Sequence, residues 1–295
     1  MKHPIAVVPL RAILIAIGIH TLWGGIAVSV KYSLLVFPPL WTSFFRFSIG
    51  VLCITAWALL HRIRIRPSRE EWPALLALGL LFTVQIGTMN TGINFSSGSI
   101  ASILIATNPL FAAFFAHLFI PGDRLTGAKL IGLAVAFCGT GIVLLQGNSL
   151  ASLQLWNVGN WILLFSAALL GARLAFSARL LRQIDAVRVL IWQMLVSLPL
   201  FALGGWWQED IVWEALSWQP IAGILYQGVV IAGLGFMVTS YLMKNYRPSI
   251  MMSFNFVAPV SGVLLSIMLL GDPMTWHLLL GLLTVAAGLW VITRQ

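Results

Sequence analysis

Apolar runs separated by short polar connections occupy almost the whole chain. Each run holds about 20 residues, the length that crosses a hydrocarbon layer of roughly 30 Å as an α-helix. This pattern predicts an all-α integral membrane protein with ten transmembrane helices. The predicted spans lie near residues 10–30, 39–60, 72–92, 98–119, 127–146, 158–179, 187–206, 218–242, 248–269 and 274–292.

The pattern of the fourth and fifth spans returns in the ninth and tenth. The chain therefore contains two copies of a five-helix unit, residues 1–147 and 148–295. Because five is an odd number, the second copy must enter the membrane from the opposite face, and such inverted repeats suit alternating access. Glycines seven residues apart in each copy also predict close helix packing. The matching pairs are Ser99 with Ser249, Pro109 with Pro259, Asp123 with Asp272, Gly132 with Gly281, and Gly139 with Gly288.

Composition narrows the class of protein further. Hydrophobic residues make up 60% of the chain and charged residues only 8%, whereas a soluble domain carries roughly 25% charged residues. The first apolar run lacks a small-residue cleavage site, so it is predicted to be a retained helix and not a signal peptide. Cys53 and Cys138 both lie in predicted spans, which offers neither a disulfide framework nor a metal motif. No metal and no cofactor are expected.

The net charge of +9 is distributed in a way that indicates a lipid bilayer as the partner, and no nucleic acid. Most Lys and Arg residues lie at alternate ends of the spans, as in the run "HRIRIRPSR" at residues 61–69, while the opposite loops carry Glu209, Asp210, Glu214 and Asp272. By the positive-inside rule, both termini are predicted to be cytoplasmic. The sequence does not set the oligomeric state, and a monomer is compatible with it.

Several segments together resemble a known family. They are "LWGGIAVSVK" (22–31), "PPLWTSFFRF" (38–47), "TNPLFAAFFAHLFIPGDRLTGAKLIG" (107–132) and "APVSGVLLSIMLLGD" (258–272). This chain is similar to the EamA-type members of the drug/metabolite transporter superfamily over essentially its whole length. The resemblance implies a bacterial inner-membrane carrier, often an exporter of amino acids or related small metabolites. It also implies a central cavity lined mainly by spans 1, 3, 4, 6, 8 and 9.

Two arginines inside the spans are candidates for function because a charge in hydrocarbon is costly. Arg46 matches the usual arginine of span 2 in the family. It could fix the helix by bonding loop carbonyls, as a structural or gating residue, or it could contact substrate. Arg173 lies six residues deeper in span 6 than Arg179, and no span holds an acid to pair with it. It could bind a substrate carboxylate or extend to the headgroups.

Two prolines mark possible helix breaks near the middle of the membrane. Pro109 and Pro259 each remove one helical hydrogen bond and free the carbonyls of Ile105 and Asn255. Transporters often build their sites at such breaks, although a kink that only shapes packing is the alternative. Polar or aromatic side chains near these positions are predicted to line the cavity. The predicted lining consists of Trp23, Gln85, Asn90, Asn94, Thr107, Asn108, Gln227, Tyr241 and Asn255.

The sequence gives less evidence about the energy source of transport. His20 is the candidate for proton coupling, because histidine can titrate near neutral pH, but a neutral hydrogen-bonding role is the alternative. Without an intramembrane acid the usual proton relay is missing, so uniport or exchange is predicted. An enzyme is not predicted, because no nucleophile with a base and no ligand cluster is present. A phosphorylated-sugar or nucleotide-sugar antiporter and a lipid-linked sugar flippase stay as alternative functions.

Overall fold

A computed structural model describes residues 9–119, 127–146, 153–246, 254 and 257–293, and the regular elements among them are helices. A 3₁₀ turn precedes α8 and another precedes α10, and α10 continues through a π-helical segment, Tyr226–Gly235, into α11. The helices are α1 (Leu10–Gly24), α2 (Ile26–Ser33), α3 (Pro39–Leu60), α4 (Trp72–Phe95), α5 (Gly98–Ile105), α6 (Asn108–Phe119), α7 (Gly127–Leu144), α8 (Val158–Leu180), α9 (Ala186–Gln208), α10 (Trp218–Leu225), α11 (Phe236–Asn245), α12 (Val257–Leu270) and α13 (Trp276–Thr293).

The helices are long and apolar enough for a protein that crosses the membrane several times. Seven helical stretches among the described residues meet the length and hydropathy of a span. Three shorter apolar helices, Leu130–Leu144, Val257–Leu270 and Trp276–Val291, fall in the remaining three predicted spans. The all-helical membrane fold is therefore confirmed. The number of ten crossings and the inverted relation of the halves stay predictions.

One end of the bundle, here called the Asp272 end, joins the two halves of the chain through charge-assisted bonds. The Asp272 carboxylate accepts a hydrogen bond of 2.7 Å from the backbone N–H of Ser99, at the start of α5. Gly271 before it adopts a φ of +72°, a left-handed conformation that favours glycine. Glu209 accepts bonds from the N–H groups of Leu40 and Trp41 at the start of α3. Burial raises the pKa of Glu209, while these N–H groups oppose the rise.

The opposite end of the bundle, here called the Arg188 end, is held by a different set of bonds. The guanidinium of Arg188 donates to the carboxylate of Glu71. Burial would raise the pKa of Glu71, but the N–H of Ser68 and the charge of Arg188 hold it below its usual value. The indole of Trp192 donates to the carbonyl of Ile65 at 2.8 Å. At both ends, hydrogen bonds thus join segments that are far apart in sequence.

Close helix packing, predicted from the repeated glycines, is confirmed for α7 and α13. A Cβ atom placed on Gly139 would lie 2.9 Å from the carbonyl oxygen of Gly281. A Cβ atom on Gly288 would lie 2.6 Å from the carbonyl oxygen of Gly132. Since real Cβ atoms do not approach that closely, any larger residue would push these two helices apart.

Exposed tryptophans cluster at the Asp272 end. They flank the connections from α9 to α10 and from α12 to α13, and their side chains are between 72 and 86% exposed. Indole rings with one apolar and one polar edge favour the membrane interface. These residues are Trp206, Trp207, Trp218 and Trp276.

Candidate functional site

A cavity of about 330 Å³ lies in the middle of the helix bundle. All the described helices except α7, α9 and α10 contribute to its wall. Relative to the lining that the resemblance implies, the wall also includes span 2, through Arg46 and Phe47, and span 10, through Leu289. A volume of this size fits one small metabolite.

Between the cavity and the Asp272 end, two pairs of helices pack closely on each other. Beyond the lining residue Ala27, Ser29 packs so closely on α10 that a Cβ atom on Gly223 would lie 2.6 Å from the Ser29 carbonyl oxygen. Beyond the lining residue Ser102, Gly98 packs equally closely on Ser266 and Leu270 of α12. At these two places the helices leave no room for a side chain between them.

Arg173 lies in the cavity wall, where the sequence placed a candidate for substrate binding. Its side chain is only 9% exposed, so the guanidinium lies inside the bundle. Nη1 donates a hydrogen bond of 3.0 Å to Oε1 of Gln193 on α9, and the guanidinium carbon lies 4.9 Å from the centre of the Phe82 ring. Nε has no acceptor. The charge is thus held by an amide and a ring face, both neutral groups.

Arg46 lines the same cavity, so the structure brings together both arginines of the predicted spans. Its side chain is 3% exposed, and its guanidinium carbon lies 4.8 Å from the centre of the Phe47 ring. Nε and Nη1 have no acceptor, and no bond to a loop carbonyl is found in the described part of the chain. Arg46 and Arg173 are near enough to repel each other electrostatically.

Two predicted lining residues on α1 and α4, Trp23 and Gln85, reach the cavity, and so does His20, the candidate for proton coupling. The ring of Trp23 meets Phe236 edge-on, with centroids 5.2 Å apart. Gln85 donates to the hydroxyl of Ser166 at 3.3 Å, and its Oε1 is buried without a donor. Oε1 of Gln85 is therefore an unused acceptor in the cavity wall among the described residues.

The break at Pro109 occurs where it was predicted. Helix α5 ends at Ile105 and α6 begins at Asn108, and Asn108 and Pro109 both line the cavity. The freed carbonyl of Ile105 accepts a bond of 2.8 Å from the side-chain amide of Asn108, so it is not available to a ligand. Thr107 instead bonds the carbonyl of Leu104 and lies outside the cavity.

The second proline has a similar place. Pro259 also lines the cavity and, like Pro109, lies in the first turn of its helix, α12. The predicted break before Pro259 falls on residues 255 and 256, which lie outside the described residues. Asn255, whose carbonyl was predicted to be a free acceptor, is one of them.

Four further predicted residues lie away from the cavity because they connect helices or face outward. Asn90 donates to the hydroxyl of Ser43 at 2.9 Å, and Gln227 donates to the hydroxyl of Ser33 at 2.9 Å. Asn94 and Tyr241 are both exposed. The structure does not bring these four to the proposed site, which is a consequence of the helix faces that they occupy.

The sequence analysis missed the aromatic and apolar part of the wall. Phe82, Ile86 and Met89 share one face of α4 with Gln85, at the spacing of i, i+3, i+4 and i+7. Helical projection from Gln85 would have found them. The sequence did not indicate Gln193, the partner of Arg173, because it lies on α9, a helix that does not reach the cavity.

Comparison with known proteins identifies the fold and the family. The chain is 24% identical over 290 residues to the uncharacterized transporter YvbV of Bacillus subtilis, covering 97% of this chain and 92% of that protein. It is 27% identical over 265 residues to the uncharacterized inner membrane transporter YedA of Escherichia coli, covering 88% and 82%. A solved crystal structure aligns with a TM-score of 0.69 and 20% identity over 95% of this chain and 96% of that one. The model of the EamA-like transporter family matches twice, at residues 10–145 and 157–294. This membrane protein therefore belongs to the EamA-like transporter family.

Proposed function

We propose that this protein is an inner-membrane carrier that exports amino acids or similar small amphipathic carboxylates. The observation that carries the proposal is Arg173, a buried cation in the cavity wall without an acid to pair with it among the described residues. Buried charges in proteins are normally paired, so the missing partner is a mobile anion. A carboxylate suits it because the guanidinium group forms two parallel bonds with that shape.

The rest of the wall fits the remainder of an amino acid. Oε1 of Gln85 is a buried acceptor without a donor, which suits an ammonium group. The rings of Phe47 and Phe82, 4.7 Å apart, together with Ile86 and Met89 offer apolar surface to a side chain. The proposed substrate therefore combines a carboxylate, an amine and a medium-sized apolar part.

Alternating access is the proposed mechanism. The two family matches are almost equal in length, which supports two units of five helices each. An inverted pair lets one half adopt the conformation that the other has left, so that the cavity opens to each side in turn. We infer that the close packing at the Asp272 end closes the cavity on that side in one of these conformations.

The proposed orientation places the Arg188 end in the cytoplasm. Arg62, Arg64, Arg66 and Arg69 lie there, and loops that hold several basic residues stay on the cytoplasmic side. In a variant with Cys53 and Cys138 replaced, single cysteines at 61–70 and 182–186 should react with an impermeant maleimide only after the inner face is exposed. Cysteines at 208–216 should react in intact cells. Reaction of 61–70 in intact cells would contradict the orientation and the inverted repeat with it.

Transport is expected to follow the gradient of the substrate itself. No Asp or Glu lies in any candidate span among the described residues, so a carboxylate relay for protons is absent there. Purified protein in liposomes, loaded with a panel of labelled amino acids, should show efflux that persists when a protonophore collapses the pH gradient. Loss of all flux under the protonophore, restored by a pH gradient alone, would instead assign coupling to His20. No flux of any carboxylate would overturn the proposed function.

A further inference from the structure

We propose that the substrate carries two anionic groups and that Arg46 binds the second one. This inference rests on the proposed function and goes beyond it, because the proposed amphipathic carboxylate needs only Arg173. Arg46 was predicted to be a structural or gating residue, with substrate contact as the alternative, and it faces the same cavity. The substrate class is therefore a dicarboxylic amino acid or a similar small dicarboxylate, whose methylene groups form its apolar part.

The hydrogen-bonding state of Arg46 favours a role in binding a ligand. Nε and Nη1 are both buried and have no acceptor among the described residues. An unsatisfied buried donor costs about 1–3 kcal/mol, and more when the group is charged. A helix-fixing arginine would use its N–H groups on backbone carbonyls, whereas this one keeps two nitrogens unused.

Arg46 and Arg173 place two positive charges in the wall of one cavity. Arg46 lies over Phe47 and Arg173 over Phe82, and these two rings are in contact. Cation–π contact offsets part of the cost of burial but does not neutralise either charge. Two like charges in one cavity of about 330 Å³ repel each other. One carboxylate leaves one charge uncompensated, whereas two carboxylates compensate both.

Among the described residues, the cavity wall holds more unsatisfied donors than unsatisfied acceptors. The unsatisfied polar atoms of the wall are three arginine nitrogens, Oε1 of Gln85 and the hydroxyl of Thr239, which can donate. No lining residue among those described is an acid. The wall can thus satisfy two anionic groups and one ammonium group at the same time.

The experiment compares ligand pairs that differ only in the second anionic group. Glutamate with glutamine, and succinate with succinamate, have nearly the same size, but the second member of each pair has an amide instead of one carboxylate. Equilibrium binding to the purified wild-type protein should favour the dicarboxylate by about 10- to 100-fold, the effect of a hydrogen bond to a charged group. Arg46→Gln should lower dicarboxylate affinity by a similar factor and abolish the preference within each pair. Arg69→Gln removes one exposed charge outside the cavity and should leave both affinities unchanged.

Each result has a separate meaning. If wild type binds glutamine and succinamate as well as their acids, while binding still depends on Arg173, the second anion site is wrong and the proposed function stands. If a sugar phosphate binds more tightly than every dicarboxylate, the dicarboxylate class is wrong and the phosphorylated-sugar alternative replaces it. If Arg46→Gln does not fold, Arg46→Lys is measured, and it should keep part of the preference because the charge remains. An Arg46→Lys protein without any preference among folded molecules would overturn the inference.

Discussion

Replacing Arg173 by Ala is expected to weaken binding of the carboxylate substrate by about 1.5–3 kcal/mol, or roughly 10- to 100-fold. The substitution removes the buried guanidinium of the cavity wall whose Nε has no protein acceptor. It also leaves Gln193 without its bond from Nη1. Arg173→Lys should restore only part of the affinity, because a single ammonium group cannot form the two parallel bonds of a guanidinium.

The measurement is equilibrium binding of the substrate and of its amide or ester analogue to purified protein. Wild type should prefer the free carboxylate, and the preference should disappear in Arg173→Ala. Arg179→Ala is the matched control, because Arg179 lies on the same helix but is exposed near its end. If wild type does not distinguish carboxylate from amide, or if Arg173→Ala binds both as before, Arg173 does not bind substrate.

Replacing Asp272 by Ala is expected to open the cavity toward the Asp272 end. The carboxylate bonds the N–H of Ser99 at the start of α5, where the helix dipole also favours a negative charge. Loss of a charge-assisted bond of about 1.5–3 kcal/mol should shift the equilibrium between closed and open forms by roughly tenfold or more. Asp272→Asn keeps an acceptor without the charge and should have an intermediate effect.

A cysteine reporter can measure this shift. Thr239→Cys places a thiol of similar size in the cavity wall, in a background without Cys53 and Cys138. An impermeant thiol reagent added from the Asp272 side should modify it faster in Asp272→Ala than in the parent. Asp210→Ala removes an exposed acid near the same end and serves as the control. Equal rates in parent and Asp272→Ala would show that this bond does not hold the end closed.

The helical membrane fold was predictable because hydrophobic length is a direct consequence of bilayer thickness. The apolar runs at 39–60, 72–92 and 98–119 lie within helices or helix pairs of nearly the same bounds. The break at Pro109 was also predictable, since proline lacks the N–H that the helix requires. The bond from Asn108 to Ile105 could not be read from the sequence, because it depends on the side-chain orientation at the break.

The binding site was predictable only where burial of a charge is costly. Arg173 was a candidate because no span holds an acid, and that argument does not need the fold. The polar residues Asn90, Gln227 and Thr107 carry no charge, and they satisfy their donors with neighbouring hydroxyl or carbonyl groups. Which neutral polar residue faces a cavity depends on helix rotation, which hydropathy leaves open. The role of Phe82 under Arg173 depends on the same rotation.

The exposed tryptophans imply that the two surfaces of the bilayer anchor this protein by different chemistry. Trp206, Trp207, Trp218 and Trp276 anchor the Asp272 end through ring contacts with headgroups and upper acyl chains, which do not require lipid charge. Arg62, Arg64, Arg66 and Arg69 anchor the Arg188 end by attraction to anionic phospholipids. In a membrane of purely zwitterionic lipid, we therefore expect the attraction at the Arg188 end to weaken while the ring contacts at the Asp272 end persist. Lipid composition would then act on only one of the two ends between which the cavity must alternate.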